Sequence, residues 1–247
     1  MAQTKLRNTQ IEEGGWTRLQ STLTFNSVDN PTGVVNMADA NTILSLGMRV
    51  KFNNGGNTIY GIVTAVTSST FTFLHEINPA NNQALHLLQN SAITDVYYSC
   101  HKAPLGFPMS PAKWTVEFTS SDTQTQSAPT NGTWYNIGAT SLNIPIGAWN
   151  LAYFVNVSIV MASSTTIAPY ISLSDSNNSE SDHDFTMYCR QDSLTRHYFS
   201  VSIDKDIILT SKTTYYIIAK VGTTTASISY EGANGGTTKI RAICSYL

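Results

Sequence analysis

The sequence predicts an all-β protein of two modules, a small N-terminal β-barrel-like module followed by a C-terminal antiparallel β-sandwich of jelly-roll type. Three observations predict it. Odd positions from Trp149 to Met161 read Trp149, Leu151, Tyr153, Val155, Val157, Ile159 and Met161, between Asn150, Ala152, Asn156 and Ser158; a period of two sustained over that length is a strand with one face buried. Short apolar runs recur between turn residues, and Asn53-Asn54-Gly55-Gly56 is a hairpin signal because these residues tolerate positive φ at low cost. Beyond Lys113 no segment carries convincing helical periodicity.

Residues 1–20 are polar, with isolated apolar groups at Leu6, Ile11 and Trp16 and a Gly14-Gly15 break. They read as an arm or anchor, since a polar segment with a few large apolar groups can fold onto a partner as it binds. Residues 21–28 alternate Leu23 and Phe25 with Thr22 and Thr24, and Asn30-Pro31-Thr32-Gly33 turns the chain into a second strand at 34–37. Residues 39–46 suit one or two helical turns capped by Asp39. Strands are expected at 48–52, 58–66, 70–75 and 96–99, which completes a module over 21–99.

Residues 100–112 hold Pro104, Pro108 and Pro111 with Gly106, a density that stiffens the chain and prevents ladder pairing. The boundary is placed there, with Phe107 and Trp114 predicting that this connector packs against one module. The second module, 113–247, continues past the 149–161 strand with strands at 185–189, 197–203, 207–209, 214–221, 226–230 and 237–247, and this count suits a jelly roll. Tyr215, Tyr216, Ile217 and Ile218 are consecutive, and Ile240, Ala242, Ile243 and Cys244 nearly so. Both faces of those strands are therefore expected to be covered, one by the core and the other by a neighbouring subunit, because an exposed apolar sheet is prone to aggregate.

Composition narrows the function. Only 12% of the 247 residues are charged, about half the ~25% of an average domain, and 32 Thr, 27 Ser and 20 Asn solvate the surface instead. With 41% hydrophobic residues the chain can fold. A formal charge of −2 without a Lys/Arg run leaves no electrostatic footprint for nucleic acid or anionic lipid. Neither a secretory signal nor a membrane span is expected, since residues 1–20 lack an apolar core and no window nears ~18 apolar residues. Cys100, Cys189 and Cys244 cannot all pair with one another and read as reduced structural thiols; no cofactor is expected. Three Asn-X-Ser/Thr triplets, at Asn131, Asn156 and Asn177, read as chance matches in a sequence this rich in those residues.

Several phrases resemble a known group. Thr133-Trp134-Tyr135-Asn136-Ile137, Ile144-Pro145-Ile146-Gly147-Ala148-Trp149, Ser172-Leu173-Ser174 and the ending Ile240-Arg241-Ala242-Ile243-Cys244-Ser245-Tyr246-Leu247 resemble the C-terminal jelly-roll modules of tailed-bacteriophage virion proteins. Thr9-Gln10-Ile11 with Trp16, Ser45-Leu46-Gly47-Met48, and Tyr97-Tyr98-Ser99 leading into Ala103-Pro104-Leu105-Gly106-Phe107-Pro108 look similar to phage attachment modules. The resemblance implies a homotrimeric virion surface projection, made in the host cytoplasm. Its N-terminal region, through Leu6, Ile11 and Trp16, would dock onto another virion structural protein, and its outer sandwich would touch a host receptor, often a saccharide. Tyr215, Ile217 and Ile243 are the trimer contacts this reading selects. Tail-fibre tips and head fibres or capsid decorations share these phrases, while the coiled-coil or β-helical shaft of many fibres is missing.

A receptor-facing patch is expected near the acidic stretch 175–184, because saccharides are held by aromatic faces together with neutral and carboxylate hydrogen-bonding groups. Tyr170, Asp182, His183, Asp184, Tyr188, Arg190 and Arg196, with Tyr198 beside them, are its candidates. The same stretch is rich in oxygen ligands for a hard cation, but its spacing is not that of an EF-hand and a solvated loop accounts for it, so no metal is expected. His75, His86, His101, His183 and His197 form no HxH or HExxH pattern, and no serine sits in a GxSxG elbow. Paired carboxylates for a polysaccharide hydrolase could be drawn from Glu117, Asp122, Asp175, Asp182 and Asp184, but only a separation of ~5–9 Å would license them. The expectation is a protein without catalytic activity.

Overall fold

The computed structural model describes residues 14–19, 22–161, 168–190, 195–223, 225–232 and 236–247, and the chain divides into two compact units. The first takes the chain through Thr115 with Pro145–Ala148 and Cys244–Leu247; the second takes Val116–Ile144 and Trp149–Ile243. The fold is all-β with antiparallel sheets. Leu6 and Ile11 of the expected anchor lie outside the described residues, and Trp16 lies within them.

The first unit contains β1 (Thr17–Arg18), β2 (Thr24–Asp29), β3 (Thr32–Asn36), β4 (Arg49–Asn54), β5 (Asn57–Val66), β6 (Thr70–His75), β7 (Ile77–Asn78), β8 (Gln83–Ala84) and β9 (Thr94–Ser99). Seven of them form one sheet in the order β1-β9-β4-β5-β6-β3-β2, while β7 and β8 make a separate hairpin. The sheet closes on itself. Leu19 N–H donates to the Val96 carbonyl, and Leu23 and Ile93 exchange backbone bonds of 3.2 and 3.0 Å, so the run from β1 into β2 ties the β9 side to the β3 side. Val35, Phe71 and Phe73 are fully buried inside it, and Phe52 meets Phe73 edge-on at 5.2 Å. Gly33 is needed for this packing: a Cβ there would lie 2.8 Å from the Phe73 ring.

One helical turn, Ala40–Ile43, follows β3, but Asp39 does not cap it with its side chain. Asp39 lies in the left-handed region at φ 53°, so its backbone carbonyl does the work and accepts from Thr42 N–H at 3.0 Å and Thr42 Oγ1 at 2.7 Å. The proline-rich connector packs within this unit. Phe107 stacks on buried Trp114 with ring centroids 5.3 Å apart, and Trp16 Nε1 donates to the Leu105 carbonyl at 2.9 Å. Arg49 is wholly buried and donates to the carbonyls of Lys102, Gly47 and Tyr246 at 3.0, 2.6 and 2.8 Å. Burial pushes its pKa down; the three carbonyls supply the hydrogen bonds that a buried cation requires.

The second unit contains β10 (Thr115–Ser120), β11 (Gln124–Ser127), β12 (Trp134–Tyr135), β13 (Ser141–Ile144), β14 (Gly147–Met161), β15 (Pro169–Ser174), β16 (Met187–Tyr188), β17 (Arg196–Leu209), β18 (Thr213–Val221), β19 (Thr225–Tyr230) and β20 (Thr238–Cys244). One sheet runs β11-β19-β14-β17, with β20 and β10 extending it, and the other runs β13-β18-β15-β16, with β12 also on β18. The chain changes sheet six times, between β11 and β12, β13 and β14, β14 and β15, β16 and β17, β17 and β18, and β18 and β19. These are the two four-stranded layers of a jelly roll. The alternating face of β14 lies in the core, where Trp149, Leu151, Val155, Val157 and Ile159 are fully buried. Tyr153 ties the layers together, its hydroxyl donating to the Ile171 and Phe185 carbonyls at 3.3 and 2.8 Å.

Local expectations shift in three places. The strands expected at 197–203 and 207–209 are one strand, β17: its polar Asp204-Lys205-Asp206 run is tolerated because, among the described residues, β17 pairs with β14 alone and lies at the sheet edge. The strand expected at 185–189 shrinks to Met187–Tyr188, since His183–Phe185 is a 3-10 turn that buries Phe185. Ile217 is fully buried and Tyr215 is 8% exposed, so both belong to the chain's own core and have no surface to offer as trimer contacts. Ile243 keeps partial exposure.

Candidate functional site

The register of the second sheet builds a row of side chains that the sequence scatters. Trp134 is opposite Lys220, Lys220 opposite Tyr170, and Tyr170 opposite Tyr188. Residues directly opposite share a face, so β12, β18, β15 and β16 present Trp134, Lys220, Tyr170 and Tyr188 side by side. Three inter-strand steps span roughly 14 Å. The Lys220 ammonium lies 4.5 Å from the centroids of both the Trp134 and the Tyr170 rings. Trp134 meets Tyr170 edge-on at 6.4 Å, and Tyr170 leans on Tyr188 at 4.8 Å. Tyr188 is 47% exposed and the other three are half-buried.

Such a row is apolar on its ring faces and polar at the tyrosine hydroxyls and the ammonium. A ligand with C–H faces and hydroxyl edges matches both. Cross-strand contacts between the rings hold them in place, which limits the rotamer entropy lost on binding.

The other expected patch residues fall into separate groups. Lys205 Nζ holds Asp182 at 2.8 Å and Asp184 at 2.6 Å; these hydrogen bonds are the main reason the Asp182 carboxyl titrates below, and the Lys205 ammonium above, its ordinary value. Asp182 Oδ1 also accepts the Asp184 N–H at 2.9 Å. His183 Nδ1 is 3.0 Å from Glu180, while Thr186 Oγ1 bonds both Glu180 and Ser172. Asp182 and Asp184 thus fasten this stretch to β17, and Glu180 binds within it. Arg196 covers the Tyr198 ring at 5.7 Å at the start of β17, and Arg190 is exposed. Of the expected patch, only Tyr170 and Tyr188 are brought together on the aromatic row.

Trp134 and Lys220 were not among the expected site residues. The alternation Tyr216, Ile218, Lys220 on β18 and the partial exposure of β12 identify them only after the pairing is known. Glu117, one of the carboxylates considered for hydrolysis, is engaged by Lys239 at 3.2 Å and lies 3.7 Å from Arg241. Among the described residues no group of three or more His, Cys, Asp and Glu is placed to hold a metal ion, and no helix is long and apolar enough to cross a membrane. The unit also has an open cavity of about 260 Å³ between β14 and β17, lined by Asn156, Tyr198, Ser200 and Glu231.

No protein-family pattern matches the sequence, and no curated protein matches it. Solved structures align only loosely. PorU of Porphyromonas gingivalis aligns over 94% of this chain and 24% of its own at 9% identity, with a TM-score of 0.32; the chain therefore spans about a quarter of its length. The VP2 subviral particle of infectious bursal disease virus aligns over 90% of this chain and 77% of its own at 11% identity, TM-score 0.28. An Arthrobacter globiformis isomalto-dextranase complexed with panose aligns over 90% and 36% at 11% identity, TM-score 0.25. At these scores the likenesses place the chain in no family.

Proposed function

We propose that the chain is a non-catalytic surface component of a phage virion whose C-terminal sandwich holds a host saccharide on the row Trp134, Lys220, Tyr170 and Tyr188. The row itself carries the saccharide part: three rings fixed in register across four strands, one of them nearly half exposed. The virion part and the assembly into a homotrimer rest on the sequence phrases quoted above. Low charge supports the choice of a neutral ligand, since a surface solvated by Thr, Ser and Asn offers hydrogen bonds without a strong field.

The test joins binding to location. Full-length protein is expected to bind host cells or their surface polysaccharide, and Trp134→Ala with Tyr188→Ala to weaken that binding about tenfold or more, the scale of losing a stacked ring. Undiminished binding by the double variant overturns the row. Gold label against the protein is expected on the tail of the particle; label on the capsid alone favours a capsid decoration, and polysaccharide degradation by the protein overturns the non-catalytic reading. Sedimentation at three times 27.0 kDa supports the trimer, and sedimentation at 27.0 kDa contradicts it.

A further inference from the structure

The first unit carries a second row of the same kind. Arg18 is opposite Tyr97, Tyr97 opposite Lys51, and Lys51 opposite Tyr60, so β1, β9, β4 and β5 present them on one face of the barrel. Lys51 Nζ lies 4.5 Å from the Tyr97 centroid and 4.7 Å from that of Trp16. Here the row opens into a groove of about 330 Å³, with Lys51 and Asn53 on its floor, Thr58 and Tyr60 along one side and Asp95 and Tyr97 along the other.

The polar end of this groove is organised. Between β4 and β9 the register advances two residues on one strand and three on the other, from Lys51–Tyr97 to Asn53–Thr94. The extra residue makes a bulge, and bulges re-aim side chains. Asp95 sits in it at φ 49°, in the left-handed region that costs a non-glycine residue energy and recurs at functional positions. Its carboxylate is fixed at both oxygens: Arg18 donates to Oδ1 at 2.8 Å and Asn53 Nδ2 to Oδ2 at 3.1 Å. Thr58 Oγ1 donates to Asn53 Oδ1 at 3.1 Å, which sets the amide's orientation. At the other end Tyr60 is braced edge-on by Phe107 at 6.2 Å.

We propose that this groove is a second saccharide site, for one or two neutral sugar rings. Its volume lies at the small end of ligand pockets, which run from roughly 300 to 1,000 Å³. Tyrosine walls suit the C–H faces of a pyranose, and each Asp95 oxygen has a lone pair left to accept a sugar hydroxyl. Arg18 balances the charge of the Asp95 carboxylate, so what Asp95 offers a ligand is acceptance of hydroxyl hydrogen bonds. The site is independent of the row on the second unit and stands whether or not that row binds.

The test uses the whole chain carrying Trp134→Ala and Tyr188→Ala, which weakens the sandwich row, so that dependence on Asp95 and Tyr97 assigns what binding is seen. Saturation-transfer NMR with maltose, lactose, methyl α-mannoside, N-acetylglucosamine and rhamnose is expected to give transfer to at least one sugar. Adding Asp95→Asn, which keeps size and tolerance of the left-handed backbone, is expected to weaken that binding about tenfold; Tyr97→Ala is expected to abolish transfer. Dispersed amide spectra of both variants confirm folding. No transfer to any of the five sugars, transfer indifferent to both substitutions, or transfer to glucuronate in place of the neutral sugars overturns the proposal.

Discussion

Two lysines, one in each unit, sit between a tryptophan and a tyrosine at nearly the same distances, yet their surroundings differ. Lys51 covers Trp16, which is 1% exposed and bonded through its indole N–H to the Leu105 carbonyl. Lys220 covers Trp134, which is half-buried on an open sheet face. The first tryptophan is a peg that fastens the connector to the barrel, while the second belongs to a surface. The same pair chemistry therefore gives structure or an open contact surface according to what lies above the ring. Acid content separates the rows further: in the barrel row Arg18 is paired with Asp95, whereas the acids at 182 and 184 of the second unit pair with Lys205, outside the sandwich row.

The sharpest way to break this comparison is to remove the two tryptophans in turn. Trp16→Ala is expected to cost about 3–5 kcal/mol, the range for deleting a buried aromatic, and Trp134→Ala about 1 kcal/mol, both read by urea unfolding of the whole chain. Equal losses would show the two rings to be alike. Next in size is a pH effect confined to the barrel. His75 is buried with Nε2 3.1 Å from Asn30 Oδ1, and burial, helped by nearby His86, pushes its pKa down to about 3. The unfolded chain takes up that proton near pH 6.5. Unfolding thus gains protons between those values, and stability, complete above about pH 6.5, falls as pH drops through the window by up to ~1.4 kcal/mol per unit. His75→Gln is expected to flatten that slope in urea midpoints measured from pH 7 to pH 4, about three units; a slope unchanged by the substitution assigns it elsewhere.

A smaller effect separates binding from folding within the sandwich. Tyr188→Ala is expected to leave the unfolding midpoint within ~0.5 kcal/mol of the parent, as for exposed positions, while weakening saccharide binding by roughly tenfold; a large stability loss would make Tyr188 a packing residue. The smallest difference belongs to the lysines. Lys220→Met removes an ammonium held on two ring faces and is expected to cost about 0.5–1 kcal/mol, measured by the same unfolding curves. No loss at all would mean that the rings hold their places without the cation.

Much of the fold was legible because strand periodicity is local. The β14 pattern from Trp149 to Met161 needs only the fact that successive side chains alternate faces, and all seven of its odd positions are buried. Gln124–Ser127 was not legible: a strand of Gln, Thr, Gln and Ser has no apolar alternation, and it pairs with β19 through backbone bonds and a hydroxyl contact of 2.8 Å between Thr125 and Ser229. Consecutive apolar residues in β18 signalled covered faces, but not what covers them. Ile217 and Ile218, on opposite faces of that strand, are both fully buried within the single chain, so the chain's own residues cover both faces there.

By itself the sequence determined an all-β chain, the buried face of its longest strand, the turn positions and a composition only 12% charged. These follow from side-chain period, backbone preference and net charge, which act over a few residues or over the whole composition. Only the tertiary structure decided that Trp134, Lys220, Tyr170 and Tyr188 share one face, that Asp95 turns toward Arg18 and Asn53, and that the acids at 182 and 184 close on Lys205. Each of these is set by strand register. A one-residue slip reverses every side chain, and nothing within a single strand states which residue of another it will meet.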